Sequence, residues 1–144
     1  MYDVYFAVAA NRVLIDSKTG QVSIIDLLEK LQTSGFPVVI PRLSLLFYVS
    51  RDKTDPDVCS PTLVCRSGGD DLLKTVLKVD FQGSDVARVV VSLDNLSIPG
   101  PGLFAANLRL GDRDWGQLEL EVSLAAADPN PHLVKSGKFS YRVT

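Results

Sequence analysis

The sequence predicts an all-β fold: an antiparallel β-sandwich of about eight strands, immunoglobulin-like or transthyretin-like in general form. Three observations carry this. Apolar and polar residues alternate with period two in most segments. Clusters of Gly, Pro, Asp and Ser separate those segments at short intervals. Almost no stretch shows the 3.6-residue periodicity of an amphipathic helix.

The elements follow in order. Residues 4–10 (VYFAVAA) form a short strand rich in β-formers, and residues 12–16 and 21–25 form a hairpin around Ser17-Lys-Thr-Gly20. Gly20 supplies the positive φ that such a turn requires. Residues 26–31 (DLLEKL) suit either a short helix or a strand continuing from Val22. Residues 33–37 are a loop, and Pro41 opens a strand in which Leu43, Leu45, Phe47 and Val49 share one face. A polar loop, Arg51–Asp57, leads to a short strand over Thr62–Arg66 and a turn at Ser67–Asp71. Leu73, Thr75, Leu77, Val79 and Phe81 alternate with lysine and aspartate, so that strand has one wet side. Val86–Leu93 is mostly valine and reads as a strand buried on both faces. Phe104–Leu110 and Leu118–Leu124 make a hairpin joined by Gly111–Gly116. After residues 125–132, a linker-like AAADPNPH, a last strand carries Phe139, Tyr141 and Val143 on one face. Residues 1–124 are therefore expected to form the sandwich domain, and 125–144 an extension with one additional strand.

The 144 residues are enough for one domain with a sizeable core. With 46% hydrophobic and 22% charged residues, the composition is that of a folded chain. A formal net charge of −2 and the lack of lysine or arginine clusters argue against nucleic acid as a partner. No apolar run approaches the roughly 20 residues that span a bilayer, and the first residues lack a signal peptide's basic and apolar regions. A membrane is therefore not an expected partner. Cys59 and Cys65 would lie ~20 Å apart on one strand, beyond the ~7 Å that a disulfide tolerates unless Pro61 turns the chain back. Two reduced thiols in a cytoplasmic protein are the plainer reading.

Chemistry-bearing motifs are sparse. Asp52, Asp55 and Asp57 resemble a calcium loop, but Arg51 and Lys53 lie among them and the EF-hand spacing is missing. Asp70 and Asp71 are neighbours in a turn, and Ser67-Gly-Gly lacks the Lys-Ser/Thr of a phosphate loop. His132, the sole histidine, sits between Pro131 and Leu133 with nothing to orient it for catalysis. No catalytic residue, metal site or cofactor is expected. Trp115 has two readings: an exposed anchor for a partner or a sugar, or, more plainly, a ring capping one end of the core. Leu46 and Tyr48 fall on the outer face of their strand, which implies a cover from the C-terminal strand or from another protomer.

Three stretches, AANRVLIDSKTGQVSIIDLLEKL (9–31), FPVVIPRLSLLFYV (36–49) and LSIPGPGLFAANLRLGDRDWGQLELEV (96–122), carry a resemblance. In them the chain resembles a family of domains of unknown function, found in bacteria and phages as small β-sandwich proteins. The resemblance supports the fold and implies no activity; the extension from Ala125 departs from it.

The expected function is a non-enzymatic protein-interaction module working through loops and edges. The expected binding elements are Pro99, Pro101 and Phe104 in the loop before the last hairpin, Arg113 and Trp115 at its turn, and Phe139 and Tyr141 in the terminal strand. The expected partner is a protein, a second copy of the chain included, through a sheet edge or the C-terminal strand. The rival expectation is a small-ligand or carbohydrate binder using Trp115 with Arg113 and Asp114.

Overall fold

A computed structural model describes residues 1–125. These residues form eleven strands and no helix. One sheet has the order β2-β1-β4-β9: β1 (Asp3–Ile15), β2 (Val22–Leu28), β4 (Val38–Ser50) and β9 (Val86–Ile98). A second has the order β3-β11-β10-β6-β7: β3 (Lys30–Thr33), β6 (Thr62–Ser67), β7 (Asp70–Val76), β10 (Gly102–Leu110) and β11 (Arg113–Leu124). A two-stranded ribbon joins β5 (Val58–Cys59) to β8 (Val79–Asp80). Every pairing is antiparallel except β3 with β11, which is parallel. Eleven strands among the described residues thus stand where about eight were expected, and β3, β5 and β8 are short pieces of two to four residues.

The period-two pattern builds the core. Leu43, Leu45, Phe47 and Val49 of β4 point inward and are fully buried. They share one apolar cluster with Leu63 and Cys65 of β6, Phe104, Ala106 and Leu108 of β10, and Leu118, Leu120 and Val122 of β11. The two sheets thus bury their apolar faces in a common core, the dominant favourable contribution to folding.

Several local expectations are resolved or corrected. For residues 26–31, left open between helix and strand, the strand reading holds: β2 runs from Val22 to Leu28, and β3 follows at Lys30. β1 is one strand of 13 residues where two were expected. β4 begins at Val38, so Pro41 lies inside a strand. Pro41 has no N–H for the ladder, and the β4–β9 register skips its pair with Asn95, which takes φ +54°. β1 has already left β4 there, its last pair being Ala10 with Ser44, so β9 is the sole neighbour disturbed. The stretch 73–81 divides into β7 and β8 around Leu77 and Lys78, although the Leu77 N–H donates to the Pro61 carbonyl in the same register that pairs β6 with β7 and β5 with β8. β9 was expected to be buried on both faces; it ends its sheet, and its even-numbered residues from Val86 to Asp94 are exposed.

Cys59 and Cys65 are free thiols on different strands, both buried. Burial pushes the Cys65 thiol up to about 11 and raises that of Cys59. Tyr2 is also pushed up, to about 12, first by burial and then by Cys59 beside it. Each raised group stays neutral in the fold, whereas the unfolded chain ionises at the ordinary value. The stability tied to them is complete below about pH 9 and is lost as pH rises through about 11 to 12. The urea midpoint should therefore hold steady up to pH 9 and fall above it. Cys65→Ala should flatten the first part of that fall; an equal fall in the variant would show that Cys65 is not its source.

Candidate functional site

The residues expected to bind do not come together. The 97–101 loop and the 111–112 turn stand at opposite ends of β10, a nine-residue strand, and so lie roughly 25 Å apart. Pro99 and Pro101 are exposed. Phe104 is fully buried and Trp115 is 3% exposed, so neither ring offers a surface to a partner. Both belong to the core cluster. Phe139, Tyr141 and His132 lie outside the described residues.

A bulge puts Trp115 inside. Leu108 faces Gly116 while Arg109 faces Asp114, leaving Trp115 as the extra residue on β11. The bulge shifts the alternation by one and turns the indole toward the core. There it packs against Tyr2, ring centroids 4.8 Å apart. Tyr2 also stacks on Phe81 at 5.7 Å and donates its hydroxyl to the Pro56 carbonyl at 2.6 Å. Arg113 pairs with Asp3 at 3.0 Å and reaches the Tyr2 carbonyl. Asp114 accepts a hydrogen bond from Asn107 at 2.7 Å. Of the Arg113–Asp114–Trp115 group expected to hold a sugar, Arg113 and Trp115 thus clasp Tyr2 and Asp3, Asp114 is held by Asn107 of β10, and the aromatic platform is buried.

The aspartate-rich loop is engaged in the same way. Asp52 and Asp55 flank the Met1 amino group, and Asp57 pairs with Arg51 at 2.9 Å. The Arg51 guanidinium also lies over the Phe81 ring. The hydrogen bond from the amino group holds the Asp55 carboxyl below its usual range. Among the described residues no group of three or more His, Cys, Asp or Glu is placed to hold a metal ion. No helix of the described residues is long and apolar enough to cross a membrane.

The surface feature that sequence reasoning missed is the arm formed by β1 and β2 beyond Ala10. Asp16 holds its turn by accepting the N–H groups of Lys18 and Thr19, and Gly20 takes φ +72°. β1 runs from Phe6, opposite Tyr48, to Ala10, opposite Ser44. Arg88 of β9 is opposite Tyr48, yet it donates to the Gly20 carbonyl at 3.2 Å. For the tip to return to that level, the arm must fold back over the outer face of its own sheet. Leu46, on that face between Val8 and Val90, is consequently fully buried. The outer face of Leu46 is thus covered as expected, but by the β1–β2 arm, where the C-terminal strand or another protomer was expected to cover it.

The folded arm leaves two open recesses where β1 parts from β4. One, about 340 Å³, is lined by Arg12, Leu14, Arg42, Ser44, Ser92 and Asp94. The other, about 440 Å³, is more apolar, with Leu27, Leu28, Ile40 and Pro41 beside Asn11 and Asp26. The arm also exposes apolar side chains: Leu14, Ile15, Ile24, Ile25 and Leu27 are each 38% to 46% accessible. Apolar residues in β1 and β2 were visible in the sequence. That they stay exposed follows from the fold, since no second layer covers the arm among the described residues.

A model of a family of unknown function, DUF6941, matches residues 5–123 of the chain. No curated protein matches it. The matched span holds both sheets and the arm and stops short of the extension.

Proposed function

The chain belongs to the DUF6941 family, and we propose that it is a non-enzymatic protein-interaction module of bacterial or phage origin, with the β1–β2 arm as its binding element. The observation that carries this reading is the exposed apolar surface of the arm, with Leu14, Ile25 and Leu27 on one of its faces and Ile15 and Ile24 on the other. Apolar surface of this kind is costly to leave in water and marks sites of association. The two-layer core supports an immunoglobulin-like or transthyretin-like sandwich as the scaffold that presents the arm. The buried free thiols fit a reducing cytoplasmic setting. Pro99, Pro101 and exposed Leu103 at one end of β10 form a secondary rim. The rival reading, a small-ligand or carbohydrate site, must use the recesses beside Arg12 and Arg42, since Trp115 is enclosed.

The test compares proteins captured from native cells by the wild type and by Leu14→Asp and Ile25→Asp. Both substitutions change exposed residues, so melting temperatures should move by only a few degrees. A defined partner retained by the wild type and reduced at least tenfold by both variants is the expected result. Equal capture by all three would remove the arm as the binding element. A thermal shift produced by a sugar or metabolite panel and abolished by Arg42→Ala would favour the rival.

A further inference from the structure

We infer that two copies of the chain associate through the free edge of β9, the strands antiparallel and the two-fold axis at Val91. This rests on the interaction-module reading and assigns it a second copy as partner.

The edge is open and its direction is defined. Among the described residues β9 pairs with β4 alone. Arg51 donates its N–H to the Asp85 carbonyl, so Asp85 points its backbone groups toward β4. Alternation then directs residues 87, 89, 91 and 93 to β4, and the N–H and C=O groups of Arg88, Val90, Ser92 and Asp94 outward. The Val86 N–H fits this phase, since it is taken by the Ser84 hydroxyl and not by β4. The positive φ of Asn95 ends the straight portion.

The side chains select a register. Between Arg88 and Asp94 the strand reads VVVSL, with no charge and no proline to blunt the edge. Arg88 lies three residues before Val91 and Asp94 three after it, and both even-numbered side chains are on the outer face. An antiparallel pair centred on Val91 sets each Arg88 opposite the partner's Asp94, and Val90 opposite the partner's Ser92. All four are outward-pointing residues, so these are the hydrogen-bonded pairs of an antiparallel ladder, about eight bonds in all. A shift of the centre by one residue to Val90 keeps the hydrogen bonds but sets Arg88 against Ser92. Neither Arg88 nor Asp94 makes an ion pair with another described residue, and the Arg88 guanidinium, which gives one N–H to the Gly20 carbonyl, keeps its other donors for a carboxylate. Cross-strand opposite charges stabilise a pairing, and like charges oppose it.

The other edges are less suited. β3 has four residues, β2 is interrupted by the positive φ of Asp26, and β7 begins with Asp70 and Asp71.

The test is the mass of the full chain by light scattering and its dimer dissociation constant by sedimentation. The wild type should show twice the 15.7 kDa of one chain. Arg88→Asp and Asp94→Arg should each weaken the dimer at least tenfold, because each places like charges across the axis twice. Mixed together they should form a heterodimer, since every 88–94 contact is then Asp with Arg. Val90→Pro, which removes an outward N–H and spares the β4 ladder, should also yield a monomer. Circular dichroism confirms that each variant is folded; a proline variant that fails to fold leaves the two charge reversals to decide. A monomeric wild type, a dimer indifferent to the reversals, or single variants that do not rescue each other would overturn the pairing. A monomer whose captured partner still depends on Leu14 overturns the edge and spares the arm; a dimer whose capture ignores Leu14 does the reverse.

Discussion

Gly116→Ala is expected to destabilise the fold by about 2–4 kcal/mol, a large effect for one added methyl group. Gly116 has φ +140°, a conformation that L side chains avoid. An added Cβ would lie 2.9 Å from the Val4 Cβ and 3.4 Å from the Val4 carbonyl oxygen. Both strands are irregular here. β1 shifts register between Val4 and Phe6, and β11 bulges at Trp115. The close approach of β1 to β11 exists because this residue has no side chain. Urea unfolding of the variant measures the loss. A cost below about 0.5 kcal/mol, the range of an ordinary surface substitution, would mean that the two strands separate without penalty and that the contact is not a constraint.

Trp115→Ala should cost about 3–5 kcal/mol, the range for removing a large aromatic from a packed interior. The indole fills the space beside Tyr2 and belongs to the same apolar cluster as Leu108 and Leu118. Trp115→Phe should cost much less. It keeps most of the packing and removes an indole N–H that is buried with no hydrogen-bond partner. Circular dichroism must follow the unfolding, since the variants lose the only tryptophan. If alanine were as well tolerated as phenylalanine, the ring would be a surface group and the reading of Trp115 as an exposed anchor would return. Arg113→Ala, which removes the ion pair to Asp3, should have a smaller effect because that pair faces solvent.

The sequence by itself determined the all-β class and most strand positions. Leu118 to Val122 alternate strictly, Leu43 to Val49 alternate except at Leu46 and Phe104 to Leu108 except at Ala105, and in each case the expected apolar face is buried. Side chains on a strand alternate by geometry, so such a pattern is legible without knowing what the strand packs against. Tertiary structure alone decided which strands are edges and where alternation breaks. The valines of β9 suggest burial on both faces, but hydrophobicity does not say whether a strand has one neighbour or two. Trp115 falls on the polar phase of its strand with Gln117 and Glu119; a one-residue bulge reverses it, and the bulge depends on Gly116 meeting Val4 more than a hundred residues away. The arm is the clearest case. Its turn and both its strands could be read from residues 12–25, whereas its return over Leu46 rests on a bond between Gly20 and Arg88, groups 68 residues apart that meet in the folded sheet.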